Sequence, residues 1–129
     1  MRIAIGLFKY FPYGGMQRRA LRIARLLRAR DHQVEFFTMH WEGAVDTDLP
    51  VHILPMRGVS NHVRYARFAQ AFAVATEAFD RRVGCNKFPG LDIYYAADTC
   101  YLARMAQRPF WHRLSGRYRA FVEAERAVF

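Results

Sequence analysis

Residues 2–30 read RIAIGLFKYFPYGGMQRRALRIARLLRAR, and this stretch decides the fold of the chain. It begins with an apolar run at residues 2–7, which predicts a short buried strand. The loop signal YFPYGG follows, and from residue 16 to residue 30 apolar side chains recur at helical spacing. A different face of this predicted helix carries arginines, at Arg18, Arg22 and Arg25. The stretch therefore predicts a buried strand, a glycine turn and an amphipathic helix with a basic outer face.

The remaining segments continue this alternation of strand and helix. Apolar, β-branched and aromatic runs predict further strands at residues 34–39, 51–54, 82–85 and 91–96. Helices are predicted from the N-cap at Ser60-Asn61 through residue 79, and at residues 99–108 and 116–128. The order β-α-β-β-α-β-β-α-α is typical of helices packed on a largely parallel sheet. The sequence thus predicts an α/β fold, a Rossmann-like three-layer sandwich formed by one domain of residues 1–129.

The overall composition indicates an anionic partner. The 129 residues include 20 Lys and Arg against 11 Asp and Glu, a formal net charge of +9. This excess leaves nucleic acid, an anionic membrane and a phosphorylated substrate open as partners. Cys85 and Cys100 lack metal-ligand spacing and a disulfide framework, so no metal site is expected. The first apolar stretch is too short for a membrane span, and no signal peptide or transmembrane segment is expected.

Gly14 and Gly15 lie between the first predicted strand and the first predicted helix. Glycines there let a ligand approach the backbone, and the amides at a helix N-terminus attract phosphate or carboxylate. The alternative is a plain tight turn. Because the stretch has no GxGxxG pattern and no acidic residue placed for a ribose, it does not predict a dinucleotide site.

Polar residues also follow two later strands of the predicted sheet. Asp98 follows residues 91–96, at the strand end where ligands of parallel sheets usually bind. Its carboxylate could accept a hydrogen bond from a sugar hydroxyl or instead cap the next helix. Asn86 and Lys87 follow residues 82–85, where Lys87 could meet a phosphate or belong to an ordinary solvated loop.

Two single histidines, His40 and His62, are candidates for substrate contact. Neither has a partner at a spacing that indicates catalysis or metal binding. A lone histidine also serves often as a capping or packing residue, so both interpretations stay open.

The C-terminal third of the chain combines arginines with aromatic side chains. No acidic residue lies between residues 99 and 122, where the basic and indole side chains are Arg104, Arg108, Trp111, Arg113, Arg117 and Arg119. This composition is typical of a surface that docks on anionic headgroups. The alternatives are a solvated basic face over core aromatics and single-stranded nucleic acid, although no nucleic-acid-binding signature appears.

Several stretches resemble one family in order and spacing. They are residues 3–38, MHWEG at 39–43, SNH at 60–62, GCNKFPGLDIYYAADTCY at 84–101 and SGRYRAFVEAERAVF at 115–129. Together they resemble the bacterial lipopolysaccharide core glucosyltransferase I family, nearly end to end. The patterns KYFPxGGxQR and NKxPGLDxYxAADxCY are specific to that family rather than general to α/β domains.

The resemblance implies the N-terminal, acceptor-side half of a retaining, metal-independent GT-B enzyme. Such an enzyme transfers glucose from UDP-glucose to an inner-core heptose of lipopolysaccharide, as a cytoplasmic, peripheral protein on the inner face of the inner membrane. The implied roles are the donor diphosphate for Gly14 and Gly15, catalysis for Asp98, and the acceptor for Asn86, Lys87 and His62. No metal or other cofactor and no nucleic acid are implied. Family members have a second, donor-binding domain that is absent from these 129 residues, so turnover by the chain alone is not expected.

Overall fold

The computed structural model of the protein describes residues 1–45, 48–58, 60–97 and 101–129. Its elements follow the order β1 (Arg2–Tyr10), α1 (Gly15–Arg28), β2 (Gln33–Trp41), β3 (Val51–Ile53), α2 (Asn61–Ala75), β4 (Arg81–Gly84), β5 (Ile93–Tyr94), α3 (Tyr101–Met105), the 3₁₀ helix Phe110–Leu114 and α4 (Gly116–Arg126). The five strands form one sheet in the order β3-β2-β1-β4-β5. Every neighbouring pair is parallel, which confirms the predicted α/β architecture.

Strand β1 lies at the centre of the sheet because its side chains are apolar on both faces. Successive side chains of a strand point to opposite faces. Ile3, Ile5 and Leu7 pack in one core with Ala20 and Ala24 of α1. On the other face a second core contains the aromatic rings that β1, β2, α2 and the loop after β4 contribute, namely Phe8, Phe37, Phe68, Phe72 and Phe88. Helices α1 and α2 therefore cover opposite faces of the sheet.

Strand β1 is longer than predicted, because β1 and β2 stay paired up to the register partners Tyr10 and Trp41. The Tyr10 and Trp41 rings stack with their centroids 3.7 Å apart. The strand therefore continues beyond the predicted end at Leu7 and includes Tyr10, which the sequence assigned to the following loop.

Helix α2 ends at Ala75, earlier than predicted. The amide and the hydroxyl of Thr76 both donate to the carbonyl of Phe72, and a turn then brings Phe79 back to the sheet. Phe79 packs edge-on against Phe37 with a centroid distance of 5.6 Å. Its apolar character continued the helical pattern although it belongs to the core after the turn.

The last predicted helices differ in their bounds. Helix α3 ends at Met105, and Pro109 then begins a turn that leads into the 3₁₀ helix, which the sequence did not predict. The residue before a proline is disfavoured in α conformation, so the helix is not expected to include Arg108. Helix α4 begins at Gly116 as predicted, and the Ser115 hydroxyl caps it by accepting from the Tyr118 amide at 3.1 Å.

Candidate functional site

The turn between β1 and α1 places two glycines at the N-terminus of α1. Gly14 is the N-cap residue in extended conformation, and no side chain caps the helix. The first turn of α1 also contains no acidic residue, so the positive end of the helix dipole has no carboxylate of its own there. The predicted glycine turn at a helix start is confirmed, whereas its role as an anion site stays a prediction.

The two glycines have different surroundings. Gly14 is buried, and a methyl group there would meet the side chain of Gln17 and the ring of Phe11. The Gln17 amide is held in place by donating to the Lys9 carbonyl at 3.1 Å. Gly15 is exposed, and no atom lies within 4 Å of where its Cβ would be. Packing therefore explains a glycine at position 14 but gives no reason for one at position 15.

Asn86 follows β4 and binds the neighbouring strand. Its Oδ1 accepts a hydrogen bond from the Phe8 amide at 2.8 Å. The side chain is half-buried, so it does not belong to a solvated loop. This bond fixes the loop after β4 against the end of β1.

Lys87 is half-buried as well, and its Nζ lies 2.7 Å from Oε1 of Glu125. Glu125 is only 2% exposed, and it also accepts hydrogen bonds from the amides of Tyr101 at 2.6 Å and Leu102 at 2.8 Å. Sequence reasoning did not single out Glu125. Its only signal is an acidic residue near the C-terminus of a helix, where the helix dipole disfavours one.

His62 and Lys87 line the same cleft, which has a volume of about 510 Å³. The cleft lies between α2, α4 and the loop after β4. Its other walls are mostly apolar, with the amide of Gln70 and the carboxylate of Glu123 among them. They are formed by Tyr65, Ala66, Ala69, Gln70, Ala73, Phe88, Pro89, Gly90, Ala120, Phe121, Glu123 and Ala124. Aromatic walls with a few polar groups are typical of small-molecule sites, and the volume lies in their usual range.

The ring of Phe121, which lines the cleft, contacts one ring of α2 and one ring of α3. The centroid of Phe121 lies 6.3 Å from that of Tyr65 and 5.1 Å from that of Tyr101. Since Phe121 belongs to α4 and Tyr65 to α2, the contact between these two rings packs α4 against α2. His40 is exposed and does not line this cleft.

Asp98, the predicted catalytic residue, lies outside the residues that the structure describes. The described part of the chain reaches Ala97 after β5 and resumes at Tyr101. The role of Asp98 therefore stays a prediction.

The basic C-terminal segment forms a second pocket of about 340 Å³ between α3, the 3₁₀ helix and α4. Its lining includes three arginines and a histidine but no acidic side chain. The lining residues are Tyr101, Arg104, Met105, Arg108, His112, Ser115 and Arg117. Arg113 and Arg119 are exposed without lining it.

The aromatic residues of this segment divide into two groups. Tyr101, Tyr118 and Phe121 are half-buried, whereas Phe110 is 70% and Trp111 61% exposed. Neither group belongs to the two hydrophobic cores, although the rings of the first group contact one another and Tyr65. Scattered apolar side chains are common on protein surfaces, but here two large rings lie beside a basic pocket.

Within the described ranges, no three or more His, Cys, Asp or Glu side chains are placed to hold a metal ion. Cys85 is buried. None of the helices in the described part of the chain is both long and apolar enough to cross a membrane.

Comparison with known proteins finds a similar enzyme and a similar solved structure. The chain is 42% identical over 132 aligned residues to the lipopolysaccharide glucosyltransferase WaaG of Escherichia coli K12, and the match covers the whole chain but 35% of that enzyme. The crystal structure of WaaG, described as a glycosyltransferase involved in lipopolysaccharide biosynthesis, superposes with a TM-score of 0.94 over 98% of this chain and 35% of that one. No family model matches the chain. The resemblance noted in the sequence is confirmed, and the chain spans about a third of the length of the relative it matches.

Proposed function

We propose that this chain, 42% identical along its whole length to a lipopolysaccharide glucosyltransferase, is the acceptor-side part of a glycosyltransferase of lipopolysaccharide biosynthesis. The observation that carries the proposal is the cleft, because it joins two residues that the sequence assigned to the acceptor, His62 and Lys87. Its aromatic walls and its amide and carboxylate side chains suit the apolar faces and hydroxyl groups of a sugar. The proposed reaction moves glucose from UDP-glucose to an inner-core heptose with retention of configuration.

The proposed chemistry divides between the Gly14-Gly15 turn and Asp98. The uncapped N-terminus of α1 would direct backbone amides of the Gly14-Gly15 turn at the diphosphate of the donor. Fixed dipoles of this kind stabilise the negative charge that develops on a departing UDP. Asp98 would orient or deprotonate the acceptor hydroxyl that attacks the glucosyl carbon. The uridine is assigned to a second domain outside these 129 residues.

The basic segment would hold the enzyme at a membrane. Exposed Trp111 and the arginines around the second pocket have the chemistry of a headgroup-binding face. The proposed contact residues are Arg104, Arg108, Trp111, Arg113, Arg117 and Arg119. With these contacts the protein would lie peripherally on the cytoplasmic face of the inner membrane, next to its lipid-anchored acceptor.

A chimera tests the enzymatic proposal. When residues 1–129 replace the aligned segment of the E. coli enzyme, we expect glucose transfer from UDP-glucose to a heptose-terminated core acceptor. Residues 1–129 alone are expected to give no turnover, because the donor-binding half is missing from them. Mass spectrometry of the acceptor measures transfer, and the NMR coupling of the new anomeric proton measures retention.

The second candidate function is a module that binds anionic lipid or another polyanion without catalysis. The acid-free pocket formed by Arg104, Arg108, His112 and Arg117 favours it. A folded chimera without transfer, together with binding of residues 1–129 to anionic but not to neutral vesicles, would select this function. Transfer by the chimera excludes it.

Gly15→Ala in the chimera is expected to lower kcat/KM for UDP-glucose about tenfold, equivalent to about 1.4 kcal/mol. The added methyl group meets no protein atom within 4 Å, so it acts on the approach of the donor diphosphate. The fold should not suffer, since alanine is favoured over glycine in a helix. Steady-state kinetics with varied UDP-glucose measure the effect.

Gly116→Ala is the matched control for this substitution. Gly116 is also the first residue of a helix, and its Cβ position is equally open. The control should leave kcat/KM for UDP-glucose unchanged. Equal kinetics for both variants would remove Gly15 from the donor site.

A further inference from the structure

Glu125 joins three segments of the chain that are distant in sequence. Its buried carboxylate contacts Lys87 in the loop after β4, and Tyr101 and Leu102 at the start of α3. Burying a charge is unfavourable by several kcal/mol unless partners replace its water. Both oxygens of Glu125 have such partners, at distances between 2.6 and 2.8 Å.

The position of Glu125 within its own helix does not account for its presence. It is the second-last residue of α4, where the negative end of the helix dipole disfavours a carboxylate. The contacts of Glu125 are instead with the start of α3, where the dipole favours negative charge. Helix α3 has five residues, too few to be stable alone, so it depends on contacts such as these.

The Glu125 carboxylate connects two walls of the acceptor cleft, which is the cleft that His62 and Lys87 line. Lys87 and the residues that follow it form one wall, and Ala120 and Ala124 of α4 belong to another. The pair between Lys87 and Glu125 therefore ties the loop after β4 to α4. Tyr101 is the third residue after Asp98, so its bond to Glu125 anchors the chain just beyond the proposed catalytic residue.

From these contacts we infer that Glu125 is a positioning residue of the acceptor site. It holds the Lys87 ammonium at the wall of the acceptor cleft. It also fixes the start of α3, which comes three residues after Asp98 in the sequence. This inference rests on the proposed function and deepens it, since it assigns a residue that neither the sequence pattern nor the comparisons indicate. Glu125 acts through its partners and not by touching the acceptor.

NMR on residues 1–129 tests the inference with a deacylated, heptose-containing core oligosaccharide as the probe. Glu125→Gln keeps the shape of the side chain but removes its charge. We expect about tenfold weaker binding of the oligosaccharide and at least tenfold faster hydrogen exchange at the Tyr101 and Leu102 amides. Arg126→Gln, an exposed change in the same turn of α4, is the control and should alter neither quantity.

A purely structural role would lower global stability without changing the affinity of the molecules that remain folded. Affinities are therefore compared at a temperature at which circular dichroism shows all proteins fully folded. Unchanged affinity and unchanged exchange in Glu125→Gln would overturn the inference while leaving the proposed function intact. Failure of the unmodified chain to bind the oligosaccharide would instead count against the proposed function.

A second measurement needs no variant and remains informative if Glu125→Gln does not fold. Coupling between two sites is reciprocal, so a ligand that depends on this anchor must also stabilise the anchor. Saturating oligosaccharide should slow exchange at the Tyr101 and Leu102 amides of the unmodified chain. Binding without any change at these two amides contradicts a positioning role.

Discussion

Phe72→Ala is expected to lower the free energy of unfolding by about 3–5 kcal/mol, the usual range for a large aromatic residue lost from a core. Phe72 is fully buried. Its ring lies 5.6 Å from that of Phe37, 6.0 Å from that of Phe68 and 5.4 Å from that of Phe88. Urea denaturation followed by circular dichroism measures the change.

Phe72→Ala should also loosen the packing of the acceptor cleft wall. Phe88 lines the cleft and loses one of its two edge-on partners when Phe72 becomes alanine, the other being Phe68. Val74→Ala on the same helix is the control, because Val74 is 76% exposed and a surface change of this kind is usually within about 0.5 kcal/mol. A destabilisation by Phe72→Ala no larger than that of the control would mean that the ring cluster does not hold α2 on the sheet.

Asp98→Asn in the chimera should lower kcat by a factor of about 10² to 10⁴, the range for a lost general acid or base. Asparagine keeps the size of the side chain and can still hydrogen-bond an acceptor hydroxyl, but it cannot take its proton. Binding of the acceptor should therefore change much less than kcat does. Initial rates at saturating concentrations of both substrates measure the effect.

Asp92→Asn is the matched change for Asp98→Asn. The Asp92 carboxylate accepts a hydrogen bond from the Arg82 amide at 2.7 Å, and this bond supports the pairing of β4 with β5. We expect it to affect thermal stability and to leave kcat close to that of the unmodified chimera. Near-normal turnover in Asp98→Asn would exclude Asp98 from catalysis.

Local patterns in the sequence predicted the type and order of nearly all elements. The continuous apolar run of β1 and the basic face of α1 could be predicted from their own residues. Boundaries failed where distant residues decided them. Strand β1 continues past Lys9 because Trp41 stacks on Tyr10, and this contact depends on the register between two strands.

The sequence named candidate site residues one by one but did not predict how they are arranged. His62 and Lys87 were candidates for separate reasons, and only the packing of α4 on α2 brings them to one cleft. Glu125 was missed because its role depends on Lys87 and Tyr101, which no helical or strand period relates to it. A buried charge pair between distant segments has no local signature.

The position of β1 at the centre of the sheet sets the order in which its two edges can pair during synthesis. Phe8 meets the hydroxyl of Thr38 across a separation of 30 residues, whereas the bond from the Phe8 amide to Asn86 spans 78 residues. One edge of β1 can therefore be covered early in synthesis, but the other must wait until β4 has been translated. Closing the longer loop is also entropically less favourable. The nascent β1-α1-β2 unit thus carries an unpaired strand edge, with free backbone N–H and C=O groups, through part of translation.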